Sequence, residues 1–211
     1  THRWRAPAPR MATAARAPEL PSPSDASSRP LAILFAAKYS LGVVRVVFIS
    51  PPREVPQRAD FPPSGLAYLS STLRAAGVDS QVVDAAALTW RQLSDVVKRA
   101  NPDIVGISCW TLERAQAFAT ARVVKEVLPT AKIILGGHHA TAFPRHMFLR
   151  ARADAVVLGE GEDTMVELVQ AMAQKDDIGK VAGIAHSRDG VTKRTAPRSF
   201  IKDLDSIPVP D

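Results

Sequence analysis

Four short stretches carry residues that could bind or react, and each follows an apolar run. They are PPREVPQRADFPPSG from Pro51, SCWT at 108–111, GGHHAT at 136–141 and GEGE at 159–162. In the third, the paired glycines Gly136 and Gly137 permit unusual dihedrals and let a large flat ligand approach the main chain. Ala140 keeps the adjoining wall low, and Thr141 offers a hydroxyl to an amide or a phosphate. His138 and His139 raise the question of a metal. A plain strand-to-loop turn with exposed histidines fits the same residues. In GEGE, Gly161 suits a helix start, with Glu162 and Asp163 complementing its positive end. That leaves Glu160, in the loop with Gly159, free to accept from ligand amide groups. Ser108 and Thr111 either face a ligand or cap the next helix, with Trp110 as a lid. Cys109 reads as a small buried apolar residue, since no histidine–carboxylate pair stands near it in sequence.

Familiar phosphate-binding chemistry is excluded by the residues themselves. A dinucleotide fold needs G-x-G-x-x-G after the first strand, where this chain has prolines. Gly159-Glu160-Gly161 follows a later strand and has Thr164 in the third glycine's place. No G-x-x-x-x-G-K-[ST] occurs, and Asp103 begins its strand rather than ending it, which rules out a phosphorelay receiver.

The elements that must position these loops alternate regularly. VRVVFIS (44–50), DSQVVDA, DIVGIS (103–108), KIILGG, DAVVLG and VAGIAHS read as strands. SGLAYLSSTLRAAG (64–77), with Ser64 as N-cap and Gly77 as stop, reads as a helix, as do TWRQLSDVVKRAN, LERAQAFATARVVKEVLP and EDTMVELVQAMAQ. Strands alternating with such helices predict right-handed crossovers: a Rossmann-like (flavodoxin-like), doubly wound α/β fold with a parallel sheet. Asp189-Gly190 predicts a small antiparallel C-terminal hairpin, and FIKDLDSIPVPD an exit linker. Ligands of such sheets bind beyond the strands' carboxyl ends, where the strand order reverses, and all four loops belong there.

Composition narrows the classes further. The formal charge is +6, but residues 1–43, rich in Ala, Pro, Arg and Ser, supply +4 of it, so no basic stripe is left for nucleic acid. That segment reads as a disordered leader or a non-native extension. One cysteine excludes an internal disulfide and a cluster held by this chain alone, and suits a reducing cytoplasm. No run is long and apolar enough for a membrane span.

The ordered set ISPP, PPSGLAYLSSTLRAAG, VVDA, PDIVGIS, ILGGHHATAFP, LGEGEDTMVEL and DLDSIPVPD closely resembles the cobalamin-binding domain at the front of cobalamin-dependent radical SAM enzymes. It runs from about Val43 to Asp211. The resemblance implies a domain over 44–186, with 187–211 as hairpin and linker towards a radical SAM barrel absent from this chain. It implies cobalamin across the sheet's carboxyl edge, its nucleotide tail reaching into the domain. The matching positions are Pro62, Pro63 and Gly65; Ser108, Trp110 and Thr111; Gly136, Gly137, His138, His139, Ala140 and Thr141; and Gly159, Glu160, Gly161 and Glu162.

A related group of cobalamin domains ligates cobalt through the histidine of Asp-x-His-x-x-Gly. This chain lacks that motif, since Ile184 stands two residues before His186. His138 and His139 are therefore read as loop residues beside the corrin, with cobalt ligation by one of them as the lesser alternative, and no catalytic residue is assigned. The iron–sulfur cluster and S-adenosylmethionine would belong to the barrel, whose three cluster cysteines this chain does not have. The expectation is a binding module, not catalytic alone, from a parent enzyme of methyl transfer or radical rearrangement, and the chain a fragment or the product of a split or truncated gene. The rivals are a nucleotide- or sugar-nucleotide-binding enzyme on the same sheet, which thermal-shift screening would reveal, and a non-binding interaction scaffold.

Overall fold

A computed structural model describes residues 44–59 and 61–210. The reading of 1–43 as a leader lies outside the described residues.

Seven strands form one sheet in the order β2-β1-β3-β4-β5-β6-β7. They are β1 (Arg45–Ser50), β2 (Asp79–Asp84), β3 (Ile104–Ser108), β4 (Lys132–Gly136), β5 (Ala155–Val157), β6 (Ile184–Arg188) and β7 (Val191–Arg194). The first five pair in parallel, while β6 and β7 add an antiparallel edge. The order reverses between β1 and β3, as the flavodoxin-like expectation requires. Asp189 and Gly190, at φ of 54° and 75°, form the two-residue turn of the β6–β7 hairpin. Because β6 also pairs with β5, it carries the main sheet across residue 186 into the hairpin.

The helices are α1 (Ser64–Ala75), α2 (Trp90–Ala100), α3 (Arg114–Val127), α4 (His138–Ala142), α5 (Pro144–Ala151) and α6 (Glu162–Gln174). Strand residues alternate between two apolar layers, as a sheet covered on both faces demands. Val47, Ile49, Val105, Ile107, Ile133 and Leu135 join Leu93, Val97, Ala121, Val124 and Met147 under α2, α3 and α5. Val46, Phe48, Ile104, Ile134 and Val157 join Leu66, Leu73, Met165 and Leu168 under α1 and α6.

Three local expectations change. The N-cap of α1 is Pro63, with Ser64 inside the first turn, and no side chain caps that end. Neither Ser108 nor Thr111 caps α3, whose N-cap is Glu113 without a side-chain bond. His138 and His139 are not loop residues but open a short helix, and Pro144 starts a second one in which Met147 and Ala151, four residues apart, bury one face.

The two edges of the sheet differ in chemistry. At the amino edge, charges are consumed by structure. Asp103 accepts from the Arg45 N–H at 2.9 Å, Arg45 meets Asp79 at 3.2 Å, and Asp154 takes Lys132 at 2.8 Å and the Ile133 N–H at 2.9 Å. The carboxyl edge is paved with glycine and opens into a cleft.

Candidate functional site

The cleft occupies about 430 Å³ at the carboxyl edge and runs down the α1–α6 face of the sheet. Its mouth is bordered by the loop after β1 (Arg53, Phe61, Pro62, Pro63), the ends of β3 (Ser108, Trp110) and β4 (Gly136, Gly137, His138), and the turn Gly159–Glu162. Its depth is lined by Phe48, Gly106, Ile134 and Val157 from the sheet, Leu66 and Leu69 from α1, and Met165 from α6. A concave, mostly apolar space with a few polar groups at the entrance is the usual form of a small-molecule site.

Glycine makes the space. A Cβ at Gly65 or Gly159 would meet nothing within 4 Å, and one at Gly136 only the Val157 Cβ at 3.8 Å. Gly137 serves a different purpose. Its φ is 97°, and a Cβ there would lie 3.1 Å from the Cys109 carbonyl oxygen, so it permits the turn from β4 into α4. The adjoining backbone is tied by the Cys109 N–H donating to the Gly136 carbonyl and the His139 N–H donating to the Cys109 carbonyl.

The two histidines part company at that turn. His138 is exposed, lines the cleft, and lies against the Trp110 indole with ring centroids 4.7 Å apart. His139 is buried and does not line the cleft, with Nδ1 3.2 Å from the Thr111 hydroxyl and the ring against Phe143 and His146. Its Nε2 is buried without a partner. Burial lowers its pKa below the ordinary imidazole range, and Arg114 and His146 push the same way. Among the described residues, no group of three His, Cys, Asp or Glu side chains is placed to hold a metal.

Of the residues expected from sequence, Pro62, Pro63, Gly65, Ser108, Trp110, Gly136, Gly137, His138, Gly159, Glu160, Gly161 and Glu162 come together around this one cleft. Thr111, His139, Ala140 and Thr141 do not line it. Ala140 is fully buried in the layer on the other face of the sheet. Thr141 stands behind the rim, its hydroxyl accepting from the Gly159 N–H at 3.1 Å. Glu160 faces the cleft, but its Oε2 already accepts from the Ile201 N–H at 2.8 Å. Cys109 is fully buried, and burial pushes its thiol up to about 11 against a smaller lowering by Arg114.

The sequence reading passed over the walls of the cleft. Gly106 was the available signal, since a lone glycine inside a strand marks a close approach. A Cβ there would sit 2.4 Å from Phe48 Cδ1, so the glycine lets that ring lie across the neighbouring strand.

Comparison with known proteins places this cleft in context. The family model described as B12 binding domain matches residues 57–169. An uncharacterized methyltransferase of Pyrococcus horikoshii is 32% identical over 80% of this chain. The anaerobic magnesium-protoporphyrin IX monomethyl ester cyclase of Rubrivivax gelatinosus is 36% identical over 78% of it. The chain spans 38% and 32% of the lengths of those two proteins. Among solved structures, the cobalamin-dependent S-adenosylmethionine radical enzyme OxsB with aqua-cobalamin bound aligns with a TM-score of 0.69. That match has 19% identity and covers 79% of this chain and 24% of OxsB. The radical S-adenosylmethionine methyltransferase TsrM from Kitasatospora setae, with cobalamin and a [4Fe-4S] cluster bound, aligns at 0.59 with 19% identity. It covers 79% of this chain and 31% of TsrM.

Proposed function

The chain belongs to the B12 binding domain family, and on that premise we propose that its carboxyl-edge cleft holds cobalamin on behalf of a radical SAM enzyme. The observation that carries this reading is the glycine-paved rim. Gly159 leaves open space, Gly136 has only the Val157 Cβ near it, and the cleft below descends between α1 and α6. A wide macrocycle needs such a shallow floor, and its tail needs such a descent.

The residues present fit the group. Gly65, Gly136 and Gly159 give room; Trp110 and His138 form an aromatic flank; Pro62 and Pro63 close the opposite side. Ser64 and Ser108 bring hydroxyls, and Glu160 and Glu162 carboxylates, to the mouth, where rim amides need partners. Gly137, Gly161, Thr111, His139, Ala140 and Thr141 support the loops that bear these groups. When bound, cobalamin supplies a cobalt centre suited to methyl transfer or a radical step. The protein's own part is to hold and orient the corrin and to keep its tail from water.

A radical SAM barrel, in cis or in trans, is the partner this reading requires. The cluster that cleaves S-adenosylmethionine is held by three thiolates, and this sequence has one cysteine. The domain is a binding module, and methyl transfer or radical rearrangement is the work of the complete enzyme. The cytoplasm is the compartment that suits it; among the described residues no helix is long and apolar enough to cross a membrane.

The test is to add hydroxocobalamin to purified protein, remove free ligand by gel filtration and record the corrin absorbance. Coloured protein is expected. Colourless protein ends the proposal.

A further inference from the structure

We propose that the corner between α5 and β7 docks an acidic segment of a partner protein, one that carries an apolar side chain among its carboxylates. The residues concerned do not line the cofactor cleft, so the proposal is independent of the cobalamin reading and goes beyond it.

The corner is an open dish of about 550 Å³. Phe143 at the N-cap of α5, Arg145, His146 and Leu149 along that helix, and Thr192 and Arg194 from β7 line it. Its charge has one sign. No Asp or Glu lines the dish, and among the described residues neither Arg145 nor Arg194 meets a carboxylate. Elsewhere Arg45, Lys125, Lys132 and Arg198 each pair with an acid. α5 also starts here without a side-chain cap, so the positive end of its dipole adds to the same field. Arg194 is anchored by its Nη2, which donates to the Thr141 carbonyl at 3.3 Å, and a planar guanidinium fork held in that way suits a carboxylate.

The apolar part decides the kind of anion. Phe143 is 51% exposed although its ring is held in place, 5.1 Å from that of His139 and 5.7 Å from that of His146. Leu149 is 63% exposed. A fixed aromatic ring beside arginines is a common anchor of protein interfaces. A nucleic-acid phosphate backbone would leave Phe143 and Leu149 uncovered. A small anion would be poorly enclosed, whereas small-molecule sites surround most of their ligand. A peptide with an apolar side chain between carboxylates covers the ring and the cations together. The dish also adjoins the cofactor cleft through Thr141, whose hydroxyl accepts from the Gly159 N–H at the rim and whose carbonyl accepts from Arg194. A partner docked here stands beside the mouth of that cleft.

The experiment is fluorescence anisotropy of a dye-labelled peptide, Glu-Glu-Leu-Phe-Glu-Glu, titrated with the purified chain at low salt. Binding is expected, and the double variant Arg145→Glu, Arg194→Glu should weaken it about tenfold or more. Leu149→Ser should weaken it several-fold with no change in charge. All three side chains are exposed, so the variants should fold, and circular dichroism would verify that. Failure of the peptide to bind, or equal binding by the double variant, overturns the proposal. So does tighter binding of an equally charged DNA duplex, which would give the corner to nucleic acid. Sedimentation velocity without peptide supplies the last arm: a dimer abolished by the double variant would give the corner to a second copy of this chain instead.

Discussion

The Ile201 N–H donates to the Glu160 carboxylate at 2.8 Å, and this bond joins the rim of the cleft to the segment that leaves β7. The same segment is also held nearer β7, where Arg198 meets the Thr164 hydroxyl at 2.9 Å and Glu167 at 2.5 Å. Glu160→Ala should therefore speed hydrogen exchange of the Ile201 amide by about tenfold, the worth of one charge-assisted bond. Glu160→Gln keeps an acceptor and should show a smaller change. Equal exchange in all three proteins would mean that the bond does not hold the segment.

Gly106 and Phe48 form a second tight pair. In Gly106→Ala the new methyl would stand 2.4 Å from Phe48 Cδ1, so the ring must leave its place and move towards the cleft. Unfolding in urea should show a loss of about 1–3 kcal/mol, the usual cost of overpacking, together with lost corrinoid retention. Adding Phe48→Leu should recover part of the stability.

The adjacent glycines of the rim should respond differently to substitution. Gly137→Ala strains a positive φ beside the Cys109 carbonyl and should destabilise the fold by about 1–3 kcal/mol. Gly136→Val places its bulk where only Val157 is near, so it should fold and fail to retain corrinoid. Urea midpoints and gel filtration separate the two outcomes. Identical behaviour would contradict the division between a conformational glycine and a space-making one.

His139 supplies a pH dependence. Its folded pKa is lowered, first by burial and then by Arg114 and His146, so below the ordinary value near 6.5 the unfolded chain binds the proton more readily. Its stabilising contribution is therefore present above that value and lost as pH falls towards the folded pKa. Urea midpoints at about pH 7.5 and 5.5 should differ more for the wild type than for His139→Gln. Parallel shifts would show that His139 is not the titrating group.

Cys109 should be inert in the native protein. Its side chain is buried and the thiol is pushed up to about 11, so little thiolate exists near neutrality. A disulfide reagent at about pH 8 should label it only after denaturation. Rapid native labelling would indicate that the β3 end opens readily.

The alternation of strands and helices, the strand-order reversal and the Asp189-Gly190 hairpin were all legible, because period, glycine and turn chemistry act locally. The short helices after Gly137 were not, since a positive φ redirects the chain before any apolar repeat is established. With them went the roles of the histidines. Consecutive residues on a helix point about 100° apart, so His138 turns to the cleft while His139 and Ala140 turn inward, a distinction invisible to anyone reading 138–141 as a loop. The floor was hidden for another reason. Phe48 and Ile134 are ordinary core residues in sequence, and only their shared face above Gly106 makes them walls of a cleft.

The most direct test of the central claim is amide hydrogen exchange with and without hydroxocobalamin. The account predicts protection confined to residues 62–69, 106–110, 134–138 and 157–162, the segments around the cleft. Protection on the α2–α3 face, or none anywhere, would contradict it.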